Sequence, residues 1–220
     1  MRIGIIGAGL MGKTLAQKLS KKGHQIVIAN SRGPHTIDVA DRTGIKAVKL
    51  QDAVVNVDAV ILCIPFGKIP ELPKDLFSQL ETVIPVIDIT NYFPSRHGVI
   101  EELENGKVHS VWVEEQIGRP VVKTFSTIIA HSFVTGGLPK GTPERIALTV
   151  SGDGKNGVET AMQLVEDTGF DAFDAGSIVE SWRQQPGNPA YCTDLTLEEL
   201  KPALAKADAE KALVTKKLVI

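Results

Sequence analysis

The stretch Ile3-Gly4-Ile5-Ile6-Gly7-Ala8-Gly9-Leu10-Met11-Gly12 governs how this chain is read. A short apolar run passes directly into G-x-G-x-x-G. Met11, Leu15 and Leu19 then recur at helical spacing, with Lys13, Gln17, Lys21 and Lys22 on the other side and Gly23 at the helix end. Strand, glycine turn and helix in that order are what a phosphate cradle requires. Gly7 permits the tight turn, Gly9 lets backbone approach a pyrophosphate, and Gly12 allows helix to pack closely on strand. Unpaired N–H groups of the first helical turn, together with the helix dipole, then hold the anion. A glycine-rich turn without a ligand is the alternative, and the full strand–turn–helix context weighs against it.

Outward from this unit, short β-branched runs alternate with helical patterns. Strands are expected at Ile3 to Ile6, Gln25 to Asn30, Ala47 to Val48, Ala59 to Ile64, Val83 to Asp88 and Val121 to Phe125. Most are continuous apolar runs, as in a parallel sheet buried on both faces. Asp52 to Val57 reads as a short helix. Further strands are expected at Arg145 to Ser151 and Phe170 to Asp174, with a helix over Val158 to Asp167 between them. Thr196 and Glu199 form a capping box for a terminal helical region. Pro202 should interrupt it, with a fresh helix from Ala203 to Leu218. The expected fold is α/β: a Rossmann-type doubly wound parallel sheet with a small C-terminal α/β extension. The Gly- and Pro-rich segment Gly136 to Pro143 suggests a division into a nucleotide-binding domain over 1–135 and a smaller lobe over 145–220.

The 220 residues are 43% hydrophobic and 23% charged, enough to bury a core in one domain or two small lobes. A formal net charge of −2 gives no basic excess for nucleic acid or an anionic membrane, so the expected partner is a small molecule. No run approaches the ~18 apolar residues of a membrane span, and the short run after Arg2 lacks the length of a signal peptide. Cys63 and Cys192 make no disulfide framework and suggest a reducing compartment, so a cytoplasmic location is expected.

The tip of the second strand selects the dinucleotide. An NAD-binding unit carries an Asp or Glu there for the ribose hydroxyls. This strand ends Asn30-Ser31-Arg32. Arg32 can pair with a 2′-phosphate and Ser31 can donate to it, so the expected cofactor is NADP(H). The fourth strand ends Cys63-Ile64-Pro65-Phe66, placing Ile64 and Pro65 beside ribose and nicotinamide. The fifth ends Asp88-Ile89-Thr90-Asn91-Tyr92, placing Asn91 at the same rim. Cys63 reads as a small buried hydrophobe.

No catalytic or metal-binding constellation is evident. The histidines are His24, His35, His97, His109 and His131, and none has metal-ligand spacing. His24 is expected to be exposed, His35 to open a surface helix, and His131 alone to lie near a cofactor site. Glu101-Glu102 and Glu114-Glu115 read as solvated, and Trp112 and Trp182 as packing residues. Carbonyl reduction calls for a placed proton donor. Hydride exchange with a flavin-like ring needs mainly positioning.

Several blocks together resemble the NADP-dependent oxidoreductases that act with the deazaflavin coenzyme factor 420. They are Ile3 to Gly9, Asn30-Ser31-Arg32, Val121-Val122-Lys123-Thr124-Phe125-Ser126-Thr127-Ile128, Ser151-Gly152-Asp153, Gly169-Phe170-Asp171, Asp174-Ala175-Gly176 and Pro189 to Thr196. The resemblance implies that Gly9, Leu10, Met11 and Gly12 hold the pyrophosphate and that Ser31 and Arg32 hold the 2′-phosphate. Ile64 and Pro65 would line the sugar, and Ala130 would offer backbone bonds to the nicotinamide amide. It further implies a homodimer and a deazaflavin or flavin co-substrate, with the acceptor cleft between the nucleotide-binding domain and the smaller C-terminal lobe. The chain departs from the pattern at Gly33-Pro34-His35, where members carry a further basic residue, and at Thr124 and Ser126, where alanine and asparagine are common. Two other readings stay open: a reductase of a small carbonyl or imine using His131 or Tyr92 as proton donor, and a non-catalytic NADP sensor.

Overall fold

The computed structural model describes residues 1–38 and 44–208. Eight strands form one sheet: β1 (Arg2–Ile6), β2 (Gln25–Ala29), β3 (Ile45–Ala47), β4 (Ala59–Leu62), β5 (Val86–Asp88), β6 (Val121–Thr124), β7 (Ala147–Ser151) and β8 (Asp171–Asp174). Their order is β3-β2-β1-β4-β5-β6-β7-β8. The first six are parallel. β7 runs antiparallel to β6, and β8 is parallel to β7. The expected Rossmann-type sheet is therefore present, and residues 145–208 continue it.

The helices are α1 (Leu10–Lys21), α2 (Pro94–His97), α3 (Glu101–Glu104), α4 (His109–Ile117), α5 (Ala130–Thr135), α6 (Lys155–Asp167) and α7 (Leu197–Ala205). Alternation along the strands splits the core into two layers. Ile3, Ile5, Ile26, Ile28 and Ile61 pack with Leu15 and Leu19 of α1 and Leu164 of α6. Ile6, Val27, Val60, Leu62 and Val86 pack with Phe66, Phe77 and Trp112 on the other face. Burying both faces explains the continuous apolar runs.

Several boundaries differ from the sequence reading. β4 ends at Leu62 and β5 begins only at Val86. The helix expected over Asp52 to Val57 is a 3₁₀ turn, Gln51–Val54, followed by Asn56 at a φ of +51°, which no helix can propagate through. Pro202 does not break the terminal helix. Thr196 caps α7 through the Glu199 box, and the helix runs through Pro202 to Ala205. Pro202 and Glu198, whose carbonyl loses its helical partner, are both exposed residues. The part of the expected helix beyond residue 208 lies outside the described residues.

His24, expected at the surface, is only 9% exposed, and its Nε2 sits 2.9 Å from Asp167 Oδ2 at the end of α6. Glu114 is half-buried and accepts the Val121 N–H at 2.8 Å. Burial raises its pKa, with Asp153, Asp88 and Glu115 adding to the rise and the Val121 bond opposing it.

Arg145, expected to open β7, instead buries its guanidinium before the strand. It donates to Glu166 Oε2 at 3.0 Å, to Asp171 Oδ1, and to the carbonyls of Leu138 and Gly169 at 3.1 Å each. Burial alone would raise the pKa of Glu166. The Ala172 N–H, Arg145 and Lys140 outweigh it and hold the carboxyl below its ordinary value of 4.5. A depressed carboxylate stabilises the fold above its unfolded pKa, and that contribution is lost as pH falls through the folded value. Arg145→Ala should cost about 3 kcal/mol at pH 7, because two carboxylates lose a buried partner. In thermal melts, the gap between wild type and variant should narrow once pH drops below about 4.5.

Candidate functional site

The site is built around the β1–α1 turn. Gly7 takes a φ of +118°, and a Cβ there would lie 2.0 Å from the Cys63 carbonyl oxygen. A Cβ at Gly12 would lie 1.9 Å from the Gly7 carbonyl oxygen. Both glycines are packing requirements. Gly9 is different: at φ −78° a Cβ would meet nothing within 4 Å. Gly9 is the N-cap of α1 and supplies no side-chain cap, and no acidic residue stands in the first turn. Leu10 and Met11, the first residues of α1, thus line open space at the positive end of the helix dipole, while the Gly12 N–H meets the Cys63 thiol.

Two cavities meet at this turn. One, of about 540 Å³, is lined by Gly7, Gly9, Asn30, Ser31, Arg32, Ile64 and Pro65, with Lys68 and Glu71 opposite. The other, of about 560 Å³, is lined by Gly9, Leu10, Met11, Ile64, Pro65, Asn91 and Ala130. Gly9, Cys63, Ile64 and Pro65 belong to both walls, so the pair forms one bent cleft beyond the carboxyl ends of β1, β2, β4 and β5. Of the twelve expected site residues only Gly12 lies outside these linings. It is buried beneath the turn.

At the tip of β2 the side chain of Asn30 folds the turn. Its Oδ1 accepts the Arg32 N–H at 2.9 Å, and its Nδ2 donates to Thr36 Oγ1 at 2.9 Å. The Arg32 side chain is exposed, and its guanidinium makes no hydrogen bond or ion pair among the described residues. Lys68 and Glu71 pair with each other at 2.6 Å on the facing wall. The first cavity therefore presents a free guanidinium and no unpaired carboxylate.

The second cavity is held by buried polar groups. Asp88 at the end of β5 accepts the Thr90 N–H at 2.8 Å, the Thr90 hydroxyl at 2.7 Å and the Ser110 hydroxyl at 2.7 Å. Its register partner on β6 is Lys123, whose Nζ lies 3.4 Å from Asp88 Oδ2 and also donates to the Thr90 carbonyl. Burial pushes the Lys123 pKa down and Asp88 opposes that push. These bonds fix the loop carrying Asn91, whose Oδ1 is buried without a partner at the cavity wall. On the other side, Asp194 accepts the Ile129 N–H at 2.7 Å and the Ser132 hydroxyl, clamping the start of α5 beside Ala130. The Cys192 and Thr193 N–H groups donate to the Ser126 and Thr127 carbonyls at 3.1 Å, which brings Tyr191 and Cys192 to the wall.

The proton-donor candidates fare differently from expectation. Tyr92 is fully buried, donates to the Gly98 carbonyl at 3.1 Å, accepts the Ile100 N–H at 3.0 Å and does not line the cavity. His131 is exposed and also absent from the lining. His97 lines it instead, together with Phe93, Arg96 and Tyr191. The His97 Nδ1 accepts the Phe93 N–H at 3.0 Å, and burial together with the Arg96 charge lowers its pKa. The imidazole is therefore neutral at neutral pH with its proton on Nε2. Burial pushes the Cys63 thiol up to about 12, so it is inert there. Trp112 stacks on Phe66 at 4.9 Å, as a packing residue should. No group of His, Cys, Asp or Glu suited to a metal occurs among the described residues.

Fold and cleft define a Rossmann-type dinucleotide-binding protein. The model of the family described as "NADP oxidoreductase coenzyme F420-dependent" matches residues 2–92. The Sinorhizobium meliloti protein SMa0349 superposes with a TM-score of 0.74 at 30% identity, over 89% of this chain and 95% of that one. The chain belongs to this NADP oxidoreductase family. A protein of Arthrobacter sp. FB24 described as an F420-dependent NADP reductase shares the fold, with a TM-score of 0.65 at 20% identity over 82% of this chain and 87% of that one. YjhV of Escherichia coli K12 is 54% identical over 57 residues, 26% of this chain. The chain spans 42% of the length of YjhV.

The two inner glycines and Gly9 should separate in experiment. Gly12→Ala should lower stability by about 2–3 kcal/mol in denaturant melts, since backbone must shift to admit the methyl group. Gly9→Ala should melt like wild type, yet weaken NADPH binding about tenfold or more when followed by nicotinamide fluorescence.

Proposed function

We propose that the protein transfers a hydride between NADP(H) and a deazaflavin or flavin-like ring bound in the second cavity. The observation that carries the cofactor choice is the unpartnered Arg32 guanidinium at the tip of β2, where an NAD-binding protein presents a carboxylate. Three features fit the dinucleotide independently: the open space over Gly9, the free Arg32, and the orphaned Asn91 Oδ1. The leading N–H groups of α1 would hold the pyrophosphate, and Ser31 and Arg32 the 2′-phosphate. Asn91 Oδ1 would accept from the carboxamide of the nicotinamide.

When bound, NADPH supplies a hydride, and one proton from solvent completes the two-electron reduction of the acceptor. What the chain contributes is position and dryness. Ile64, Pro65, Phe66, Phe125 and Ile128 give the second cavity apolar walls, and the Asp88–Lys123 and Asp194 clamps hold its two sides. Two stacked rings need little more than this. A small-molecule acceptor, without a nucleic-acid or membrane partner, accords with a net charge of −2. The proposal includes a homodimer, which the family resemblance supports, and a cytoplasmic location, which the low cysteine content supports. No helix among the described residues is long and apolar enough to cross a membrane.

The assignment is tested by following NADPH oxidation against the deazaflavin, riboflavin phosphate, FAD, quinones and small carbonyls. Turnover with the ring acceptors supports it, turnover with carbonyls alone replaces it, and tight binding without turnover indicates a sensor. For the cofactor, Arg32→Ala should raise the NADPH dissociation constant about 30-fold, the worth of roughly 2 kcal/mol for a hydrogen-bonded charge. NADH binding should stay within about twofold. Equal losses for both would refute the NADP assignment.

A further inference from the structure

The second cavity carries a charge that the dinucleotide reading does not use. Phe93, Arg96 and His97, from the segment after β5, and Tyr191 are part of its wall. The Phe93 and Tyr191 rings meet edge to face with centroids 6.0 Å apart. Arg96 is exposed, and its guanidinium carbon lies 5.1 Å from the Phe93 ring centroid, within reach of a cation–π contact. Arg96 is the only charged side chain among the described residues lining this cavity. It makes no ion pair with any described carboxylate. Its field is felt within the site, since it lowers the pKa of His97 and opposes the upward push of burial on Tyr191.

A pocket of aromatic and apolar walls with one unpaired, aromatic-backed guanidinium is suited to a flat ring bearing an anionic substituent. We propose that Arg96 is a specificity-determining residue that binds a phosphate or carboxylate on the hydride acceptor, so that charged rings are preferred over neutral rings of the same shape. This deepens the assignment above and rests on it. The guanidinium offers a bidentate fork, and it lies over Phe93 without an ion-pair partner among the described residues.

The test compares riboflavin phosphate with riboflavin, which share one ring system and differ in the phosphate. A carboxymethyl-substituted flavin supplies the carboxylate arm. Each is titrated by flavin fluorescence against the full chain saturated with NADP+. The charged flavins should bind about tenfold more tightly than riboflavin, and raised salt should shrink that ratio. A gain with phosphate alone identifies a phosphate site, and a gain with both identifies a general anion site; either supports the proposal. Arg96→Gln should bring the ratio to about one by weakening the charged flavins only, with riboflavin and NADPH affinities unchanged. Arg96→Lys should keep part of the preference.

Equal affinity for all three flavins in the wild type, or no flavin binding at all, would overturn the proposal. So would equal loss of charged and neutral rings in Arg96→Gln, which would show a merely structural role. Weaker NADPH binding in that variant would also overturn it, by assigning the guanidinium to the dinucleotide. Failure of the wild type to bind NADPH is read in a separate titration and defeats the functional assignment itself.

Discussion

Helix α1 can stand on the end of β1 only because two positions there lack a Cβ. The Gly7 position backs onto the Cys63 carbonyl, and the Gly12 position backs onto the Gly7 carbonyl, each at a separation no side chain tolerates. This contact ties the first turn of α1 to the adjacent ends of β1 and β4. It aims the helix axis, and with it the positive end of the dipole, into the space above the sheet. The same approach leaves Gly9 at the helix start with open volume beside it. Packing and ligand access are thus set by one turn, with different glycines responsible for each.

A second layer of order comes from polar groups buried where β6 meets the antiparallel extension. Asp88 and Lys123 are register partners on neighbouring strands, so the pairing of the sheet itself brings the charges together. Gln184 extends the pattern: its Oε1 accepts from Thr149 and from Ser126 at 3.3 Å, and its Nε2 donates to Ser151 at 3.0 Å. Ser126, a departure from the usual family pattern, therefore has a partner of its own in this chain. Such groups are costly if left unpaired and rigid when satisfied. Here they steady the two loops, around Asn91 and Ala130, that face each other across the second cavity.

The sheet was legible in the sequence because its strands are buried on both faces, which writes an apolar run for each. The glycine turn and the tip of β2 were legible because their chemistry is local, confined to ten residues in one case and three in the other. What was missed depends on contacts far apart along the chain. His24 follows a helix-ending glycine and looks solvent-facing; its partner, Asp167, is 143 residues away. Phe93, Arg96 and His97 carry no local pattern, and they become a cavity wall only when the 191–194 segment is laid against the loop after β6. Pro202 shows the reverse error. The proline penalty is severe in a buried helix interior, but Pro202 and Glu198 lie on the exposed face of α7.

The electrostatics of the cleft follow from this division of labour. One positive element, Arg32, lines the first cavity, and Gly9 at the α1 terminus lines both cavities. Between these charges the shared wall is Cys63, Ile64 and Pro65, with no ionised group. The thiol is held protonated by burial, so it adds neither charge nor reactivity. Under the proposed function, a ligand with anions at those two poles would be held by its phosphates, and its remaining half would rest on an uncharged surface. Charge would then set the register of the cofactor, and apolar contact the plane of its reactive ring. The Ile64 and Pro65 side of that ring would be free of competing proton donors.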